Sequence, residues 1–136
     1  MIKQSALGVV LVFLSLFTEG CGTRDDLKEI QRTKARNADV VLLSPDGLVH
    51  QKTDLTVEFR QPSDGELIDV KHVRANATMP MPGMAPMFGT VDLRPSGTAG
   101  RFFLQGALEM AGSWRVTFNW EGPAGSDQVT LNTTVR

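Results

Sequence analysis

Ser113-Trp114-Arg115-Val116-Thr117-Phe118-Asn119-Trp120-Glu121 is the stretch that decides the fold. Trp114, Val116, Phe118 and Trp120 occupy alternate positions, with Ser, Arg, Thr, Asn and Glu on the other set. Successive side chains of a strand point to opposite faces, so this alternation puts every large apolar group on one face. A strand that buries two Trp and a Phe needs an apolar layer opposite it. Gly122-Pro123-Ala124-Gly125 then turns the chain. Val129, Leu131, Thr133 and Val135 repeat the alternation in a final strand.

The same reading extends upstream. Ala38 to Leu43 is a β-type run that ends in the turn chemistry of Ser44-Pro45-Asp46-Gly47. Leu55, Val57 and Phe59 alternate with polar residues and stop at Gln61-Pro62-Ser63-Asp64-Gly65. Between Leu67 and Thr78 the apolar phase is even at Ile68 and Val70, then odd at Val73, Ala75 and Ala77. That switch predicts a bulge near Lys71 and His72. Phe88 to Arg94 and Arg101 to Leu104 supply two more strands. About seven short strands separated by turns predict an all-β, antiparallel two-sheet sandwich over residues 38–136. No window carries a sustained helical period.

Composition excludes several classes. The chain has 136 residues, with 14 Lys+Arg against 15 Asp+Glu and a formal net charge of −1. That balance argues against a nucleic-acid partner, which needs a basic surface. One Cys and two His rule out a disulfide framework and a Cys/His zinc site. No nucleophile elbow, phosphate loop or His-Glu-x-x-His motif appears, so no catalytic residue is assigned and the chain is not read as an enzyme. The acidic pairs Asp25/Asp26 and Asp64/Glu66 lie in spacer and turn contexts and read as solvated charges.

The N-terminus reads as an address. Lys3 precedes an uncharged apolar run from Ala6 to Phe17, too short to span a bilayer and of the length of a signal-peptide core. Gly20-Cys21 directly after this run resembles the lipobox of bacterial lipoproteins, although Thr18 and Glu19 stand where that motif has an aliphatic and a small residue. The resemblance implies a signal peptide over residues 1–20, lipidation of Cys21 and a membrane anchor through lipid. If the envelope is Gram-negative, Gly22 after the Cys then implies the outer membrane, with the protein facing the periplasm. The alternative is an ordinary signal peptide that leaves an unpaired thiol, a redox liability in an exported protein. Residues 21–37 hold many charges and only Leu27 and Ile30 as large apolar groups, and read as the lipidated Cys and a polar tether.

Met79-Pro80-Met81-Pro82-Gly83-Met84-Ala85-Pro86-Met87 is the chain's unusual constellation, with four of its six Met. Pro cannot donate to a sheet ladder, so the segment reads as a stiff, extended connection between strands. Thioethers are soft ligands that suit Cu(I), admit Ag(I) and hold hard cations poorly. Met79, Met81, Met84 and Met87 are therefore candidate metal ligands. His72, on the strand leading into the loop, is the preferred imidazole, ahead of His50; Met110 is a further thioether. Met is also a flexible gap-filler and a common component of adaptable binding surfaces, so core packing and a non-metal docking loop stay open. Trp114 and Trp120 read as core.

The Met-Pro loop followed by Met110-Ala111-Gly112-Ser113-Trp114-Arg115-Val116-Thr117-Phe118 resembles the YtkA-like domain, which is related to the FixH family. The resemblance covers about residues 38–136. It implies an immunoglobulin-like sandwich in an exported or membrane-anchored protein. It also implies a place beside copper handling, heavy-metal efflux or oxidase assembly, with an efflux or oxidase-assembly protein as partner. The alternative function is a non-metal interaction module that docks a membrane complex through the Met-Pro loop or a sheet edge.

Overall fold

A computed structural model describes residues 26–136. The apolar leader and Cys21 lie outside the described residues. The strands are β1 (Lys28–Lys34), β2 (Asp39–Ser44), β3 (Lys52–Arg60), β4 (Lys71–Met79), β5 (Met87–Pro95), β6 (Arg101–Ala107), β7 (Gly112–Gly122) and β8 (Gly125–Val135). All pairings between these strands are antiparallel, in the order β1-β2-β3-β6-β5-β4-β7-β8.

The all-β, immunoglobulin-like expectation holds, with eight strands in place of about seven. Hydrogen bonding is continuous through both layers because β5 changes partner along its length. Met87, Phe88 and Gly89 pair with β4, whereas Thr90 to Pro95 pair with β6. The corner falls at Gly89. A Cβ there would sit 2.5 Å from Leu108 Cδ2 and 3.1 Å from Trp114 Cζ3. Only a residue without a side chain lets the bend close on the Trp114 ring.

The layers meet through their apolar faces. Val40, Leu42, Leu55, Val57, Phe59 and Leu104 come from one side; Ala77, Trp114, Val116, Phe118, Trp120 and Leu131 come from the other. Phe59 and Trp120 touch across the interface with ring centroids 5.0 Å apart. Among the described residues, all strands and all buried core side chains lie between Lys28 and Val135. A chain shortened to residues 22–136 therefore keeps all of these strands and core side chains.

β1 corrects the reading of residues 21–37 as a tether. Lys28–Lys34 pairs along β2, and Ile30 packs against the core. The segment was hidden because its side chains are mostly polar. An edge strand is held by backbone hydrogen bonds to one neighbour and needs little apolar surface of its own. The bulge near Lys71 and His72 is present: the β4–β7 register shifts between Lys71 and Arg74, and His72 has a left-handed φ of 53°.

Gly100 supports the centre of the fold. Its carbonyl accepts the Phe59 N–H at 2.9 Å, and the Phe59 carbonyl accepts the Ile68 N–H at 2.8 Å. Gly100 has φ +81°, and a Cβ there would lie 2.4 Å from the Ile68 carbonyl oxygen. Gly100→Ala is expected to cost about 3 kcal/mol, because left-handed strain adds to a clash with backbone. Gly97 has φ +86° with open space around it. Gly97→Ala carries the strain alone and is expected to cost about 1 kcal/mol. Urea unfolding of residues 22–136 measures both; equal losses would show that the clash at Ile68 relaxes away.

Candidate metal site: a methionine-rich end of the sandwich

The Met-Pro segment connects β4 to β5 as a tight hairpin rather than an extended link. Met79 and Met87 are register partners at its base. At its tip the Met84 N–H donates to the Met81 carbonyl at 3.1 Å, with Pro82 and Gly83 between them. Gly83 has φ +73°. Pro followed by a left-handed Gly at the two central positions is the signature of a type II turn. Pro80, Pro82 and Pro86 supply no N–H, so the ladder stops at Met79 and Met87.

The four thioethers are graded by depth. Met79 and Met87 are half-buried and pack against the core. The Met79 methyl lies only 2.6 Å from where a Cβ on Gly112 would sit, so that glycine makes room for it. Met81 is half-buried and Met84 is exposed. A fifth thioether belongs to the same end. Met110 follows β6, and its carbonyl accepts the Trp114 indole N–H at 2.8 Å. Gly112, against which the Met79 methyl packs, follows Met110 by two residues, so Met110 lies at the same end.

His72 does not join them. It sits at the start of β4 while Met79 ends the strand. Seven positions at about 3.3 Å each put roughly 20 Å between them. Its exposed ring instead places Nδ1 2.8 Å from Glu121 Oε2 on β7. The imidazole at the methionine end is His50. Its neighbour Gln51 accepts the Leu108 N–H at 2.7 Å, beside the connection that carries Met110. His50 Nε2 lies 2.6 Å from Asp46 Oδ2. That hydrogen bond, reinforced by the Leu48 N–H and the Ser44 hydroxyl, lowers the Asp46 carboxyl to about 2. Among the described residues no three His, Cys, Asp or Glu side chains gather into a metal-holding group. The donor set of this end is thioether sulfur.

A wide groove of about 1150 Å³ lies at the opposite end, lined by Lys34, Arg36, His72, Arg74, Glu121 and Asp127 among others. Several of its charges are paired internally. Arg36 lies 3.5 Å from Asp127, alongside the His72–Glu121 contact. Burial pushes the Asp127 carboxyl up, but the Asn37 and Gln128 N–H groups and Arg36 outweigh it and hold the carboxyl low. The soft-donor chemistry is elsewhere. Trp114 and Trp120 are buried and serve the core.

Fold and site together define a small antiparallel β-sandwich whose one end is rich in methionine. The chain belongs to the YtkA-like family, whose model matches residues 32–119. No curated protein matches the chain. Among solved structures it is similar to the Lin-41 filamin domain, at 17% identity and a TM-score of 0.44, covering 65% of this chain and 81% of that one. It is also similar to PcoC, a methionine-rich copper resistance protein from Escherichia coli, at 19% identity and a TM-score of 0.44, covering 62% of this chain and 83% of that one.

Proposed function

We propose that this chain is an envelope lipoprotein, anchored through acylated Cys21, that binds Cu(I) or Ag(I) at its methionine hairpin. Met79, Met81, Met84 and Met87 are the ligands, with Met110 beside them and His72 outside the set. The protein serves as an accessory in copper or heavy-metal efflux or in metalloenzyme assembly, and hands its ion to a membrane-associated partner. It is a binding module without catalysis of its own.

The single observation that carries this reading is the placing of five methionines at one end of the sandwich. Soft, uncharged sulfur suits a soft monovalent ion. Thioethers also release no proton on binding, so affinity is expected to change little between pH 5 and 8, unlike a thiolate or imidazole site. The exposed Met84 favours exchange with a partner, and the half-buried Met79 and Met87 provide a fixed base.

A Cu(I) competition titration tests it. Residues 22–136 would be titrated anaerobically, under reducing conditions, against a chromophoric Cu(I) chelator. Retention of about one ion per chain is expected, with loss of at least a hundredfold in affinity when all four Met become Leu, which keeps apolar bulk and removes sulfur. His72→Ala should leave affinity unchanged. A folded protein that does not compete with the chelator would sink the metal reading. The second reading, a docking loop for a membrane complex, draws on the exposure of Met84 and Phe88. It predicts that the Leu variant keeps its partner.

A further inference from the structure

Leu27, Leu48, Met84, Phe88, Phe103 and Met110 are the exposed large hydrophobics among the described residues. Scattered apolar side chains on a surface are ordinary, whereas clustered ones mark a contact. Leu48, Met84, Phe88 and Met110 share one end of the sandwich, and Leu27 lies between that end and the outer face of β6. Leu27 precedes β1, Leu48 lies between β2 and β3, Met84 tips the β4–β5 hairpin, Phe88 is the second residue of β5 and Met110 follows β6. The connections after β2, β4 and β6 and the start of β1 all fall on this end because each pairing is antiparallel. Phe103 stands in mid-strand on the outer face of β6, where it lines a groove together with Leu27 and Pro45. Exposure is greatest at the hairpin, 69% for Met84 and 72% for Phe88, against 39% for Leu27, 38% for Leu48 and 42% for Met110.

We infer that this methionine-bearing end is a bilayer-contacting face, with Leu48, Met84, Phe88 and Met110 set into the headgroup–acyl boundary. The chain outside the described residues selects a lipid bilayer as occupant. It enters the sandwich at Asp26 and Leu27, on this same end, and it contains Cys21. The five residues from Cys21 to Asp26 reach at most about 18 Å. An anchor at Cys21 would therefore hold this end, and not the His72 end, against the membrane. The flanking charges are of both signs, Lys28, Lys52 and Arg136 with Asp46 and Glu109. Apolar contact rather than net charge then carries the attachment, while the Lys and Arg heads stay in water. The thioether site opens at the lipid surface, where an ion passes to a membrane-embedded acceptor without crossing bulk solvent.

The orientation rests on the anchor proposed above, but its test does not. Residues 22–136 lack the acylated Cys and would be floated, metal-free, with phosphatidylcholine vesicles. Measurable partitioning is expected, insensitive to salt. Leu48→Ser combined with Phe88→Ser should lower the partition coefficient about tenfold or more, since two apolar contacts with lipid are lost. Phe103→Ser, a less exposed aromatic in mid-strand on the outer face of β6, should change it less than about twofold. Neither Leu48 nor Phe88 is a proposed ligand, so the result is separate from any failure to bind Cu(I).

A second measurement guards against a misfolded variant. The shortened chain has no cysteine, so Phe88→Cys and Ser63→Cys each accept one environment-sensitive fluorophore, at opposite ends of the sandwich. A blue shift on vesicle addition is expected at position 88 alone. Failure of the unsubstituted chain to float, an equal loss from Phe103→Ser, or equal spectra at the two labels would overturn the inference. The apolar end would then belong to a protein partner.

Discussion

Trp114→Ala is expected to lower the unfolding free energy by about 4 kcal/mol, against a total of about 5–15 for a domain of this kind. Three observations set that size. The ring is fully buried. It fills the corner where β5 changes partner, with Cζ3 3.1 Å from the space a Cβ on Gly89 would take. Its indole N–H donates to the Met110 carbonyl at 2.8 Å. Deleting the ring leaves a cavity between the two layers that neither can close, since β5 bonds both. Trp114→Phe separates packing from the hydrogen bond. It keeps most of the bulk and frees a carbonyl on a partly exposed residue, which water can reach, so about 1–2 kcal/mol is expected. Urea unfolding gives both values. Amide exchange should rise over residues 108–112 in the Phe variant, because the connection carrying Met110 loses its tie to the core. A loss below about 1 kcal/mol for Trp114→Ala would mean that the ring does not hold the corner.

The role of Trp114 was legible in the sequence, and that of Gly89 was not. The alternation from Trp114 to Trp120 reads as a strand because the side-chain period is two, and β7 follows it residue by residue. The bulge at Lys71 and His72 was visible as a change of apolar phase, since a one-residue insertion flips every later side chain. Gly89 was silent. Nothing local distinguishes a glycine at a sheet corner from one inside a strand, because the contact that demands it, with Trp114 and Leu108, is long-range. β1 was silent for a related reason: its partner supplies backbone bonds, which leave no mark on side-chain pattern. At the site, the Met-Pro composition marked the proposed ligands, and Pro82-Gly83 carried the turn that closes their segment into a hairpin. The choice of His72 failed on topology. Each antiparallel reversal moves the chain to the other end of the sandwich, so the start of a strand and its end cannot share a site. Counting reversals from the Met segment backward puts His50, before β3, on its end and His72 on the far one.

Glu58→Ala is expected to cost about 3 kcal/mol although the residue lies on the outer face of its layer. Glu58 alternates with the core residues Val57 and Phe59, yet it is nearly as buried as they are. Two arginines cover it. Arg101, its register partner on β6, donates from Nε at 2.8 Å and Nη2 at 2.7 Å to Oε1. Arg60 donates from Nε at 2.7 Å to Oε2. Each guanidinium presents its fork to one carboxylate oxygen, a strong charge-assisted arrangement that ties β3 to β6. Removing the carboxylate leaves two like charges, largely withdrawn from water, facing each other across the gap. Their side chains keep 28% and 19% exposure, so they regain part of their hydration, which holds the loss to the lower end of the range for a broken buried pair. Glu58→Gln keeps the shape and half the acceptors and should lose about half as much. The informative variant replaces the whole group, Glu58→Leu with Arg60→Met and Arg101→Leu. Desolvating three charges offsets much of their attraction, so the apolar set should recover to within about 1 kcal/mol of the unsubstituted chain. Added salt should narrow none of these differences by much, because the pairs are shielded from solvent ions. A triple variant as unstable as Glu58→Ala would show that the forked geometry itself, and not relief from an unpaired charge, stabilises this face of the sandwich.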